Sequence, residues 1–300
     1  MISLKQLKYA LAVEQHLHFK KAAEACHVSQ SALSTALNEL EKQLGLQVFE
    51  RDNKKVLVTP QGQEVLDRAK RIMTEVSDLE QLADSRRAPL SAPMRVGMIP
   101  TIGPYLLPDL LPSLSRQYPD FIINVVEEQS APLVDMLRQG KLDAAILALP
   151  YPHEGLLAFE FWEEDFYWVA HADDIGAGQK EIASDELDQS HLMLLKEGHC
   201  LKDHALAACR FPEQTANHGF GATSLNTLVQ MVKGKLGTTL VPEIALEPLL
   251  RESAQLKAIH LSEPGPHRRL AFLVRPNYPR VSEVQELMRV CREALDRTRE

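Results

Sequence analysis

A chain of 300 residues, 45% hydrophobic and 25% charged, has room for two domains with ordinary cores, and this composition excludes a disordered or low-complexity polymer. No apolar run approaches the roughly 18 residues of a membrane span, and no charged leader with a cleavage site opens the chain, so we expect a cytoplasmic protein with no membrane partner. Four cysteines make no disulfide scaffold, and the net charge of −8 argues against nucleic acid until it is followed along the chain: residues 1–60 hold eight Lys and Arg against six Asp and Glu, residues 91–300 hold 20 against 29.

Leu4, Leu7, Leu11 and Ala12 recur at helical spacing, and a second helix covers 19–26. A third starts with Ser29 or Ser31 as its N-cap, keeps Leu33, Leu37, Leu40 and Leu44 on one face, and stops at Gly45. Val48-Phe49 and Val56-Leu57-Val58 are short β-like runs flanking residues 50–55, which read as a hairpin or wing. Ala22 and Ala23 permit close helix contact, Val28 fills the turn, and Ala32, Leu33 and Leu37 bury the third helix, the geometry of a helix-turn-helix. Ser29, Gln30, Ser31, Ser34, Thr35 and Asn38 then face double-stranded DNA, at base edges or phosphates, while Arg51, Lys54 and Lys55 add phosphate or minor-groove contacts.

Thr59-Pro60-Gln61-Gly62 opens a helix running to about Arg87. Its Val65, Ala69, Ile72, Val76, Leu79 and Ala83 alternate spacings of four and three, which predicts a dimer seam; the other reading is a helix packed on its own domain. Beyond Met94, strand patterns at 95–99, 122–126, 144–149, 167–171, 192–195, 238–241 and 271–274 alternate with helical ones, which predicts parallel sheets covered by helices, in two α/β lobes around a cleft. The expected division is a DNA-binding head over 1–60, a dimerisation helix over 61–88, a hinge over 89–93 and an effector part over 94–300. Within the last, subdomain I takes about 94–165 and 269–300 and subdomain II about 166–268.

The series Leu4-Lys5-Gln6-Leu7, Phe19-Lys20-Lys21-Ala22-Ala23, Val28-Ser29-Gln30-Ser31-Ala32-Leu33-Ser34, Leu40-Glu41-Lys42-Gln43-Leu44-Gly45, Phe49-Glu50-Arg51 and Leu57-Val58-Thr59-Pro60-Gln61-Gly62 resembles the N-terminal domain of LysR-type transcriptional regulators. Ser31 departs from the proline many members carry. The resemblance implies α/β architecture with an N-terminal all-α winged helix-turn-helix, and two effector subdomains resembling periplasmic binding proteins. It also implies a homodimer or homotetramer on promoter DNA, in contact with RNA polymerase.

Cys200 has Lys196, His199 and Lys202 as near neighbours in sequence, and positive charge there favours the thiolate, the form that attacks peroxide. A sulfenic acid formed at Cys200 condenses with a nearby thiol. The segment from Leu201 to Arg210 reads as helix, and nine helical steps separate Cys200 from Cys209 by about 13 Å, whereas a disulfide wants Cα atoms within about 7 Å. Closing the bond must remodel the segment. Gly198-His199-Cys200 with Asp203 and Cys209, the run Ile99–Pro108, and Arg275-Pro276 narrow the resemblance to peroxide-sensing members of the family. That implies hydrogen peroxide as the signal, Cys200 as the peroxidatic residue and Cys209 as the resolving one. Thr101, His199, Asp203 and Arg275 then shape the pocket, with Ser130 where those members commonly carry threonine.

From the residues themselves, Thr101 and Ser130 each end a strand pattern and begin a helical one, either facing a cleft or serving as plain helix caps. Cys26 and Cys291 read as core, Arg268 and Arg269 as a solvated pair, and His16, His18, His27 and His218 as surface or capping residues. The spacing of Cys200 and Cys209 matches no strong zinc pattern, and no cofactor is implied. Two other functions share these features: a regulator that binds a small anionic metabolite in the cleft, and a thiol peroxidase, against which the DNA-reading head speaks.

Overall fold

The computed structural model describes residues 1–300 except 53–54, 85–88, 175–178, 213–220, 252 and 300, and divides into two units, Met1–Arg86 and Arg87–Glu300. In the first unit α1 (Leu4–His16) is opened by Ser3, whose hydroxyl accepts from the Gln6 amide while Gln6 reaches back to the Ser3 backbone. His18 caps α2 (Phe19–Ala25) through Nδ1. His27 turns the chain at φ +55, and Ser29 caps α3 (Gln30–Leu44), which Gly45 ends in the left-handed region. The hairpin of β1 (Phe49–Asp52) and β2 (Lys55–Val58) follows, then α4 (Pro60–Asp84).

Leu7, Ala10, Val13, Ala22, Leu33, Leu37, Leu40, Phe49 and Leu66 close one core. Two expectations shift here. Leu4 is 46% exposed, because α1 turns Leu7, Ala10 and Val13 inward, and Ala32 is exposed on α3. His218 and the side chain of Ala83 lie outside the described residues.

In the second unit the chain runs through β3 (Met94–Met98), α5 (Gly103–Gln117), β4 (Ile123–Glu127), α6 (Ser130–Arg138), β5 (Ala144–Leu149) and β6 (Leu157–Glu164). It continues through β7 (Phe166–His171), β8 (Glu181–Ile182), β9 (Leu194–Leu195), α7 (Cys200–Ala208), β10 (Gly221–Ala222) and α8 (Leu225–Lys233). The last elements are β11 (Thr239–Pro242), α9 (Glu243–Leu250), β12 (Leu256–Leu261), β13 (Arg268–Val274) and α10 (Val281–Arg299).

One sheet has the order β4-β3-β5-β13-β6, another β11-β7-β12-β8, and β9 pairs with β10. The sheets are mixed, not parallel as expected: β3 runs parallel to β4 and β5, but β13 is antiparallel to β5 and β6, and β7 to β11 and β12. The antiparallel pairs include strands that were expected, β5 with β13 and β7 with β11, whose direction their spacing does not encode; β6 and β12 were passed over, and of these only Leu256–Leu261 comes near the period-two burial of a half-buried strand.

The chain leaves the first sheet after Glu164 and returns to it at Arg268, so two crossings join two α/β lobes, each with its own apolar core. No helix among the described residues is long and apolar enough to cross a membrane.

Candidate functional site

Parallel strands deliver their C-terminal ends to one edge of a sheet, where the following helices begin. Here β3 leads through Ile99, Pro100 and Thr101 into α5, and β4 leads through Gln129 into α6, whose first residue is Ser130. Into this corner the second lobe inserts the N-terminus of α7, with His199 at the N-cap and Cys200 as first helical residue. Thr101, Gln129, Ser130, Gly198, His199 and Cys200 line one narrow crevice with an empty volume of about 170 Å³, too tight for a water-sized sphere to settle in it.

Cys200 packs in the core of the first lobe although its helix belongs to the second, and it is only 4% exposed. Burial pushes its thiol above the ordinary value; Ser130, Arg268 and the Ala148 backbone work against that, and Asp203 adds to it. Ser130 Oγ is enclosed without a well-formed hydrogen bond, so its help to the thiolate comes from a hydroxyl poised beside Sγ at looser than ideal geometry. The cation that favours the thiolate is thus Arg268, not Lys196, which is exposed, nor His199, which burial holds toward its neutral form.

Arg268 overturns the reading of a solvated pair. It is 1% exposed, its Nε donates to Glu164 Oε1 at 2.6 Å, Nη1 donates to Thr101 Oγ1 and Nη2 to the Thr101 carbonyl, both at 3.2 Å. Glu164 Oε2 in turn accepts from the Ile244 amide at 2.8 Å in the first turn of α9. Thr101 is therefore pinned by a buried guanidinium. Neither it nor Ser130 is a cap: the N-caps of α5 and α6 are Ile102 and Gln129, and neither side chain bonds a helix amide.

Arg275 does not reach this corner. Its Nη1 donates to the carbonyls of Leu137 and Leu142, at the far end of β13, and seven residues of extended chain, about 23 Å, separate it from Arg268. Asp203 is exposed in the first turn of α7. His204, one turn from Cys200, donates from Nε2 to the Pro150 carbonyl at 2.9 Å, which ties α7 to the end of β5. Among the described residues no three His, Cys, Asp or Glu side chains converge on a metal position.

Cys209 is the C-cap of α7, 2% exposed in the core of the second lobe, and burial raises its thiol to about 12, with Glu263 adding to the effect. Both thiols are reduced, and the helix between them keeps them about 13 Å apart. The sequence reading missed Gln129 and Arg268. A polar residue directly before a helix that begins with serine, and an arginine opening an apolar strand, were the available signals.

In the first unit Gln30, Thr35 and Asn38 are exposed on α3 and Ser34 is half-buried. Ser29 Oγ accepts from the Ala32 amide and shares a hydrogen bond with Ser31 Oγ at 3.0 Å, so part of its capacity goes to capping. Lys55 is exposed at the start of β2; Lys54 and the Arg51 side chain lie outside the described residues.

The chain matches the model of the bacterial regulatory helix-turn-helix protein, lysR family, over residues 4–63 and that of the LysR substrate binding domain over 87–296. It is 40% identical over 297 residues to the "Probable hydrogen peroxide-inducible genes activator" of Streptomyces viridosporus, covering 98% of this chain and 94% of that one. It is 38% identical over 286 residues, 95% of each chain, to the HTH-type transcriptional regulator EstR of Acinetobacter baylyi. A full-length OxyR variant from Pseudomonas aeruginosa superimposes with a TM-score of 0.79 at 33% identity, covering 97% of this chain and 95% of that one.

Proposed function

The chain belongs to the LysR family of DNA-binding transcription regulators and is not an enzyme, and from that premise we propose that it is an OxyR-like peroxide sensor switched by Cys200 and Cys209. The thiol of Cys200 gives its proton to solvent and the thiolate attacks one oxygen of hydrogen peroxide: the S–O bond forms, the O–O bond breaks, and the leaving hydroxide takes up an equivalent proton from solvent and departs as water. The Cys209 thiol then attacks the sulfenic sulfur, the S–S bond forms, and the hydroxyl departs as water with the thiol proton. Arg268 and Ser130 favour the thiolate, while Thr101 and His199 border the space the peroxide must enter. The finer assignments follow: a homodimer or homotetramer on double-stranded promoter DNA, acting on RNA polymerase from the cytoplasm.

The observation that carries this reading is the placement of the two thiols. Each is seated in a different lobe's core, at opposite ends of one nine-residue helix. A bond between them cannot form without remodelling α7, so chemistry at sulfur becomes a change of shape. Treating the reduced full-length protein with one equivalent of peroxide should yield the Cys200–Cys209 linked peptide under non-reducing mass mapping, and Cys200→Ser should abolish the peroxide-dependent footprint while leaving DNA binding. If both thiols stay free, the same corner, with its buried guanidinium and three helix N-termini, favours a small anionic metabolite instead.

A further inference from the structure

Sγ of Cys200 lies beneath a crevice that no water-sized sphere enters, yet any reaction there needs an incoming atom at van der Waals distance from the sulfur. Part of the wall must move. Thr101 is fixed by two hydrogen bonds from buried Arg268, and Ser130 and Cys200 are the first residues of helices. Displacing any of these disturbs an ion pair or a backbone.

Gln129 is different. It holds the N-cap position of α6, but its side chain caps nothing. Its Nε2 lies 3.3 Å from His199 Nε2, and its amide lies over Gly198, where a Cβ would fall 2.6 Å from Oε1. Gly198 stands at φ +92, a conformation suited to glycine, and its bare Cα leaves the notch that the amide fills.

We propose that the Gln129 side chain is a latch over Cys200: hydrogen-bonded to His199 and seated on Gly198 it shuts the crevice, and by rotating outward it decides which oxidants reach the thiol and how fast. The inference rests on the reading of Cys200 as the reactive thiol. In the closed state His199 accepts through Nε2 and must be neutral, which burial favours. One neutral hydrogen bond is strong enough to keep the amide seated most of the time and weak enough for thermal rotation to break, with no backbone movement. Size selection follows, since hydrogen peroxide passes at partial withdrawal and a branched hydroperoxide needs the full swing.

The test uses the reduced full-length protein as wild type, Gln129→Ala and Gln129→Met. Alkylation of Cys200 by iodoacetamide, followed by peptide mapping, reads access alone; oxidation by hydrogen peroxide and by tert-butyl hydroperoxide reads the sensor. Gln129→Ala should alkylate about threefold to tenfold faster, with a larger gain in oxidation rate for the bulky hydroperoxide than for hydrogen peroxide. Gln129→Met keeps the volume but cannot donate to His199, and should fall between; it also serves if the alanine variant melts early. Unchanged or slower alkylation in the folded variants overturns the latch, and equal gains for both hydroperoxides overturn its selectivity. Faster alkylation with no peroxide oxidation in any of the three proteins leaves the latch standing and overturns the peroxide reading.

Discussion

Arg268 and Glu164 have no side-chain surface left to solvent and form an ion pair with each other. Breaking such a pair from one side strands a buried carboxylate at a cost of about 3–5 kcal/mol. Arg268→Met should therefore lower stability by that order in denaturant melts, Arg268→Met combined with Glu164→Gln should regain part of it, and an equally stable single variant would refute the account. The same substitution removes a group that favours the Cys200 thiolate, so iodoacetamide alkylation of Cys200 at pH 7 should slow and its pH profile move to higher pH. The sign for stability is separate. Cys200, Cys209 and Cys291 are all raised by burial, so the unfolded chain gives up these protons first. Their contribution is complete below the ordinary thiol value of 9.0 and declines as pH rises from there toward the folded value, about 12 for Cys209. A melting midpoint that fell less steeply between pH 8.5 and 11 in the Cys209→Ala variant than in wild type would isolate that share, and equal slopes would refute it. At this scale the sequence led to Thr101, Ser130, His199 and Cys200 through local motifs where helices begin, and to Cys209 where the helix opened by Cys200 ends. It led to the wrong arginine, since Arg268 and Arg275 bracket one strand and only the pairing of β13 with β5 and β6 decides which end meets the corner.

Helix α7 is the element on which the proposed switch turns, because one core holds its first residue and another holds its cap. Ala207 is exposed on it, and glycine in an exposed helix interior costs about 1 kcal/mol relative to alanine. If opening α7 limits disulfide closure, Ala207→Gly should speed formation of the Cys200–Cys209 bond about fivefold after stoichiometric peroxide, with sulfenic acid formation unchanged. Quenched mass mapping over time decides this, and identical closure rates would show that the helix does not gate the step. The helix was legible in its alanines and leucines, and so were the three helices of the head, whose caps and apolar spacing are local. Strands β6 and β12 were not seen, because a search for βαβ alternation favours strands that precede helices, and these two lead into another strand. The proposed division of labour between α3 and the β1–β2 hairpin is also testable by residue. Asn38→Ala should cost about 1–3 kcal/mol on one operator and relax its base preference, whereas Lys55→Ala should weaken all sequences alike and reduce the salt slope by about one. Gel-shift titrations at several salt concentrations separate the two patterns.

Across the whole molecule, the acidic second unit would be repelled by DNA, so the mildly basic head has to supply the contacts and gains most from being doubled. Helix α4 offers the means. Its first apolar positions serve the head itself, with Leu66 and Ala69 in that core and Val65 packed against it. Farther along, Ile72 is 44% and Leu79 67% exposed on the heptad seam. The sequence pattern ran evenly through both halves and could not reveal that the seam leaves the head's core midway, since the spacing is the same whether a residue packs on its own domain, on a second copy or on nothing. Ile72 and Leu79 are already partly covered, so burying what is left of them in each of two chains is worth about 3–7 kcal/mol in all, a large share of the roughly 8 kcal/mol of a micromolar dimer. Replacing both by lysine should therefore shift the full-length protein toward monomer by at least about a hundredfold in dimer affinity, read by sedimentation equilibrium. The melting of the head should be unaffected, because neither residue belongs to its core. DNA binding should fall in step with the loss of the dimer and become insensitive to the spacing between half-sites. An unchanged mass in the double variant would mean that the exposed half of α4 is a solvated face and that dimers, if the protein forms them, are held by the second unit.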